Sequence, residues 1–206
     1  MKHLPLSLIA FVLAATAAAA TPPDEVIKTA TAQVQDVIKQ RQAEFKAEPA
    51  KFYTVVDQMV APHFDLPYIT QLILGKYNRS ATAEQRDRFQ AAFKNMLIRS
   101  YANALLEYGA QVKTEWAPLR MAADASTTTV QSKVIRPRGA PVPMGFAMKK
   151  NGEDWKIYDI TVDNVSLITG FRGQVTSQIK SSSLDQVIAQ LEQGGKITPA
   201  GAPKVR

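Results

Sequence analysis

The chain has 206 residues, of which 46% are hydrophobic, enough for one domain with a full core. It contains no cysteine, which excludes disulfides, zinc–thiolate centres and cysteine nucleophiles. Lys and Arg total 25 against 18 Asp and Glu, a formal charge of +7. The densest cationic group, Arg79, Arg86, Arg88, Lys94 and Arg99, fits a solvated helix face as well as a docking patch.

The first twenty residues, MKHLPLSLIAFVLAATAAAA, pair a charged Lys2 with an apolar run from Leu4 to Ala15. Ala18 and Ala20 then stand in an A-x-A arrangement before Thr21. This is the pattern of a cleaved secretory signal over 1–20, its apolar run being too short for a comfortable membrane span. Export is therefore expected, and with it anionic lipid surfaces or acidic proteins as complements to the basic charge, rather than nucleic acid.

The mature chain opens with helical spacing from Asp24 to Phe45, striped by Val26, Ile27, Ala30, Val34, Val37 and Ile38. Pro49 is placed to start a second helix bearing Phe52, Val55, Val56, Met59 and Val60, with Pro62 ending it. A third, shorter stripe of Ile69, Leu72 and Ile73 runs to Gly75. Thr82 and Gln85 form a capping box for a long helix to about Tyr108, with Gly109 at its end. Its expected apolar stripe is Phe89, Phe93, Met96, Leu97, Tyr101, Ala104, Leu105 and Tyr108.

After Gly109 the period changes to that of strands. QVKTEWA, STTTVQSKVIRP, PVPMGFAMKK and DWKIYDITVD are rich in Val, Thr, Ile and aromatic residues. RPRGAP and KKNGED read as the connections between the last three, and Asn151-Gly152 is a strong turn signal. Ser166 to Lys180 returns to helix with Ile168, Phe171, Val175 and Ile179 on one side, and Ser183 is placed to cap a last helix. The order predicts an α+β fold in one domain. The helical part is expected over about 24–110, a curved antiparallel sheet of about four strands over 111–162, and closing helices over 166–193. Helices would lie across the sheet's concave face, and residues 194–206 are expected as a flexible tail.

Little in the sequence suits catalysis. Losing the signal leaves His63 as the single histidine, and no G-x-S-x-G elbow accompanies it. A lone histidine near Asp65 is not metal-ligand spacing, so no metal is expected. GFRGQ, residues 170–174, is not a phosphate loop; its glycines suit close helix packing. Asp159 is the acid to weigh, because a carboxyl in an apolar pocket can shuttle protons. Strict alternation, however, puts it on the Trp155/Ile157 face, opposite Tyr158, Ile160 and Val162.

Apolar content is the more telling feature. Val142, Met144, Phe146 and Met148 share one face of a strand, with Pro143, Gly145 and Ala147 on the other. Methionine adapts to irregular shapes, which suits a cavity for flexible ligands, although a packed core has the same pattern.

Three stretches resemble the MlaC family of periplasmic phospholipid carriers, also called the toluene-tolerance auxiliary family. One carries Leu74-Gly75, Tyr77, Ser80-Ala81-Thr82, Gln85, Phe89, Ala92, Phe93, Leu97, Tyr101, Ala102 and Tyr108. Another is similar to the family's W-x-x-Y-D and V-S-x-x-T signature at Trp155, Tyr158-Asp159, Val165-Ser166 and Ile168-Thr169. Val56-Asp57-Gln58 and Pro62 match an earlier helix. The resemblance implies a nuclear-transport-factor-like cone with a helical subdomain, located in the periplasm. It implies a phospholipid cargo held by its acyl chains, with no cofactor and no catalysis. Its implied partners are an outer-membrane lipoprotein–porin complex and an inner-membrane ring protein of an ABC transporter, with the carrier itself a monomer.

On that reading the expected lipid-binding residues are Leu72, Ile73, Leu97, Tyr101, Leu105, Val142, Met144, Phe146, Met148, Tyr158, Ile160, Val162, Val165, Ile168 and Phe171. Arg172 is the candidate for the head group. Two other readings use the same apolar surface: a chaperone-like module for apolar protein or lipoprotein segments, and a pocket enzyme using Asp159, Tyr158 or His63.

Overall fold

Helix starts follow local chemistry in the computed structural model, which describes residues 21–135 and 139–201. The expected signal, residues 136–138 of the RPRGAP connection and the last residues of the expected tail lie outside the described residues. Helices α1 (Pro23–Ala47) and α2 (Pro49–Met59) carry proline in the first turn, where the missing N–H would have no partner anyway. Helix α3 (Leu66–Leu74) is capped by Asp65, which accepts from the Tyr68 N–H at 3.1 Å. Helix α4 (Ala83–Tyr108) has the expected reciprocal box: Gln85 N donates to Thr82 Oγ1 at 3.1 Å, and Thr82 N to Gln85 Oε1 at 3.0 Å. Ser166 and Ser183 each cap a helix with one bond, accepting from the Thr169 N–H at the start of α5 (Leu167–Ser181) and the Gln186 N–H at the start of α6 (Leu184–Glu192). Gly75 ends α3 at φ +54°, a backbone state that favours glycine.

The sheet is an antiparallel meander in chain order, so the class is α+β as expected. Its strands are β1 (Lys113–Trp116), β2 (Thr127–Ile135), β3 (Val142–Asn151), β4 (Asp154–Val162) and β5 (Val165–Ser166). The first four match the four expected strands, and the two-residue β5 is an addition. Asn151 pairs with Asp154, leaving Gly152 (φ +64°) and Glu153 as the β3–β4 turn. Asp163 and Asn164, both at positive φ (52° and 62°), turn β4 into β5. Two successive positive φ values make this the primed turn whose twist matches paired strands.

One irregularity in β4 overturns the face assignment made by strict alternation. Ala147 pairs with Asp159 but Met148 pairs with Ile157, so Tyr158 has no partner across the ladder. This bulge shifts the alternation by one residue. Trp155 and Ile157 therefore share a face with Ile160 and Val162, and Asp159 lies on the opposite one. Both placements reverse the sequence expectation.

Three apolar cores hold the elements together. The first joins α3, the front of α4, α5 and α6 through Ile73, Phe89, Phe93, Phe171, Val175 and Ile188. The second joins α1, α2 and the back of α4 through Ile38, Phe45, Phe52 and Leu106. The third sets Ile27 of α1 against Val130, Met148, Trp155 and Ile157 of the sheet. Because α4 serves two cores on different sides, its buried face turns along its length. Ala102 and Leu106 are buried, while Tyr101 and Tyr108 are 39% and 47% exposed, so the single stripe expected for this helix is corrected. The segment after Gly194 also departs from a loose tail. Ile197 is 4% exposed in the first core, and a Cβ on Gly170 would sit 2.7 Å from the Ala200 carbonyl oxygen.

Candidate functional site

The register assembles one apolar sheet face from alternate residues of five strands. Across it, Val134 pairs with Val142; Ser132 with Met144, Val162 and then Val165; and Val130 with Phe146 and Ile160. Met148 and Ile157 form the next row, and Lys150 and Trp155 the last. Trp116 of β1 lies opposite Ser132, its ring 6.0 Å from that of Phe146.

This face is divided in two. At one end Val130, Met148, Trp155 and Ile157 are closed over by Val26 and Ile27 of α1, Phe64, and Leu119 of the β1–β2 connection. At the other end Val142, Met144, Phe146, Ile160, Val162 and Val165 are only partly buried. Val142, Met144, Val162 and Val165 pack into none of the three cores among the described residues. Ser132 is the one buried polar side chain here, 4% exposed, and its hydroxyl has no hydrogen-bond partner among the described residues. A contiguous row of Met, Phe and Val side chains left partly open favours an apolar ligand over water.

The expected site residues are thus separated into groups. Val142, Met144, Phe146, Ile160, Val162 and Val165 come together on the open face, and Met148 lies beneath the closed part, fully buried. Ile73 and Phe171 are interior to the helical core, with Leu97, Tyr158 and Ile168 packed against it. Tyr158, turned out of the ladder by the bulge, meets the Tyr68 ring edge-on at 5.5 Å. Leu105 packs against the α1–α2 core, and Tyr101 is exposed. Leu72 and Arg172 line a separate recess with Gly75, Lys76 and Arg79. Trp116, Val130, Ser132 and Val134 are the members that sequence reasoning missed; they belong to this face only once the register is known.

The acid–base candidates have structural occupations. Asp159 reaches the start of α5, where its Oδ1 accepts from the Ile168 N–H at 3.1 Å and its Oδ2 from the Ser166 hydroxyl at 2.6 Å. Ser166 Oγ in turn accepts from the Thr169 N–H. A carboxylate at a helix N-terminus is stabilising there, and this chain of bonds accounts for the spacing of Asp159, Ser166 and Thr169. Burial, then Tyr68 and Asp159, push the Tyr158 phenol upward, so it stays protonated. Burial, reinforced by the Lys156 cation, lowers His63. Among the described residues no hydrogen bond ties the His63 ring to a serine or carboxylate, and no cluster of three metal-ligating side chains occurs. No helix among the described residues is long and apolar enough to cross a membrane.

Comparison with known proteins agrees with this geometry. The family described as MlaC protein matches residues 28–193. Toluene tolerance protein ttg2D of Pseudomonas putida is 34% identical over 176 residues, which is 84% of this chain and 80% of that protein. The intermembrane phospholipid transport system binding protein MlaC of Haemophilus influenzae is 27% identical over 189 residues, 90% of this chain and 88% of that one. Among solved structures, a phospholipid-binding protein from Ralstonia solanacearum in complex with a phospholipid superposes with a TM-score of 0.77 at 29% identity. That likeness covers 84% of this chain and 97% of the other.

Proposed function

The chain belongs to the MlaC family, and on that premise we propose that it is a periplasmic phospholipid carrier. It holds its cargo by the acyl chains and shuttles it between an outer-membrane lipoprotein–porin complex and an inner-membrane ring protein of an ABC transporter. That exchange would help maintain the lipid asymmetry of the outer membrane. The observation that carries this reading is the open half of the sheet face, where Met144, Phe146, Ile160, Val162 and Val165 adjoin and are only partly buried among the described residues. The phospholipid bound by the Ralstonia solanacearum protein supports the same cargo class. No catalytic step is part of the reading.

Energetics set the mode of action. Two chains of roughly 15 buried CH₂ groups each are worth about 24 kcal/mol against water, at ~0.8 kcal/mol per group. That exceeds the practical limit of about 18–21 kcal/mol for noncovalent affinity, so release into water is effectively forbidden. Release into hydrocarbon is nearly neutral, since the chains stay in an apolar medium. The carrier therefore keeps its lipid until a docked partner offers an apolar path. Direction is set by the partners' affinities and energy input.

Met144→Trp and Phe146→Trp test the placement. Both add bulk to the open face, Met144 outside the three cores and Phe146 at the margin of the third, so each should fold with native far-UV circular dichroism yet copurify with far less phospholipid than the wild type. Normal lipid content in both folded variants would contradict the assignment.

A further inference from the structure

A second recess, sharing no lining residue with the apolar sheet face, gathers positive charge without neutralising it. It has a volume of about 370 Å³ and is lined by Gln71, Leu72, Gly75, Lys76, Asn78, Arg79 and Arg172. No carboxylate is in the lining. Among the described residues, Lys76, Arg79 and Arg172 make no ion pair, whereas Arg41, Arg88 and Lys94 elsewhere each pair with an acid. The end of α3 contributes partial negative charge, but only about −0.5 of an elementary charge, so over two positive charges remain uncompensated.

The recess is also shaped around one of these cations. A Cβ placed on Gly75 would lie 2.9 Å from Arg172 Nε and 3.2 Å from its Nη2, so the guanidinium rests where only glycine leaves room. The same glycine is at φ +54°, doubly restricting the position. Lys76 is seated over the Tyr77 ring with its Nζ 5.1 Å from the centroid. Gln71 and Asn78 bring amide groups to the wall. A planar guanidinium fork with two further cations at one open recess matches a tetrahedral oxyanion.

We propose that this recess binds a phosphate-type oxyanion through Arg172, with Lys76 and Arg79 completing its charge. The anion's source is the phosphodiester of the carried lipid or phosphate free in the surroundings. The lipid source rests on the carrier reading and has a geometric basis. Ile168 lies one helical turn before Arg172 on the same side of α5, about 6 Å along the axis. Val165, on the open apolar face, precedes that helix by two residues.

The test is ¹⁵N NMR of the Gly75 amide and the Arg172 Nε group in delipidated protein, in protein loaded with phosphatidylglycerol, and in each after adding inorganic phosphate. Saturable phosphate shifts at both groups in delipidated protein are expected, and the affinity read at the Gly75 amide should fall roughly tenfold or more in Arg172→Gln. Arg79→Gln should lower that affinity less, and it keeps the test informative should Arg172→Gln fold poorly. If loading alone shifts both groups and abolishes the phosphate response, the cargo's head group is the occupant. If the phosphate response survives loading, the site takes free phosphate and the head-group source is overturned. Resonances that answer to neither phosphate nor bound lipid overturn the proposal while leaving the carrier reading intact. Failure to load any lipid strikes the carrier reading instead, and the phosphate titration still decides this one.

Discussion

Asp159 shows how one residue can look catalytic and be structural. An acid in an apolar strand invites an acid–base role, but both its oxygens are engaged with Ser166 and the Ile168 N–H at the head of α5. Asp159→Asn removes the charge and one acceptor from that junction, and should cost about 1–2 kcal/mol in urea unfolding while leaving lipid content unchanged. Unchanged stability with lost lipid would instead place Asp159 in the binding site. The motif itself was legible; its meaning was not, because the hydrogen bonds join residues seven and nine positions apart around a turn. Gly75 is a similar case. Its C-cap role is readable from sequence, whereas its closeness to Arg172 arises only when α3 and α5 pack together.

Among the elements, caps and turns were readable because their chemistry is local: the Thr82/Gln85 box, the Ser183 cap and the four expected strands all lie where the sequence puts them. The β4 bulge was not, since nothing in WKIYDITV distinguishes a shifted ladder from an even one. The face of α4 was not either, because a helix bridging two cores has no single stripe. The C-terminal segment offers a sharp test. Ile197→Ala should destabilise the fold by about 2–4 kcal/mol, as expected for a buried isoleucine, where a loose tail would give less than ~0.5 kcal/mol. Within α1, Arg41 departs from helical geometry at a kink (φ −125°, ψ 19°) and its guanidinium bonds Glu44. The Arg41 bond first, and Lys51 second, lower the Glu44 carboxyl from 4.5 to about 2. Its contribution is complete above pH 4.5 and fades as pH falls toward 2. Thermal melts of wild type and Glu44→Gln should therefore differ slightly at pH 6 and converge near pH 2. A gap that persists at pH 2 would assign the effect to packing.

For the whole molecule, the α+β class and the helix–sheet–helix order follow from periodicity alone, but the division of the sheet face into closed and open halves does not. Met148 and Met144 are four residues apart on the same strand face, one fully buried and the other partly open. What separates them is the reach of α1, Phe64 and Leu119, all distant in sequence. That division is the basis of the carrier reading, in which a sheet packs its fold at one end and its cargo at the other. The most direct test is native mass spectrometry of the mature protein purified from periplasm without detergent, followed by organic extraction. The account predicts a mass excess of one phospholipid per chain, with the same lipid in the extract. A bare protein mass with an empty extract, or a bound peptide in place of lipid, would contradict it.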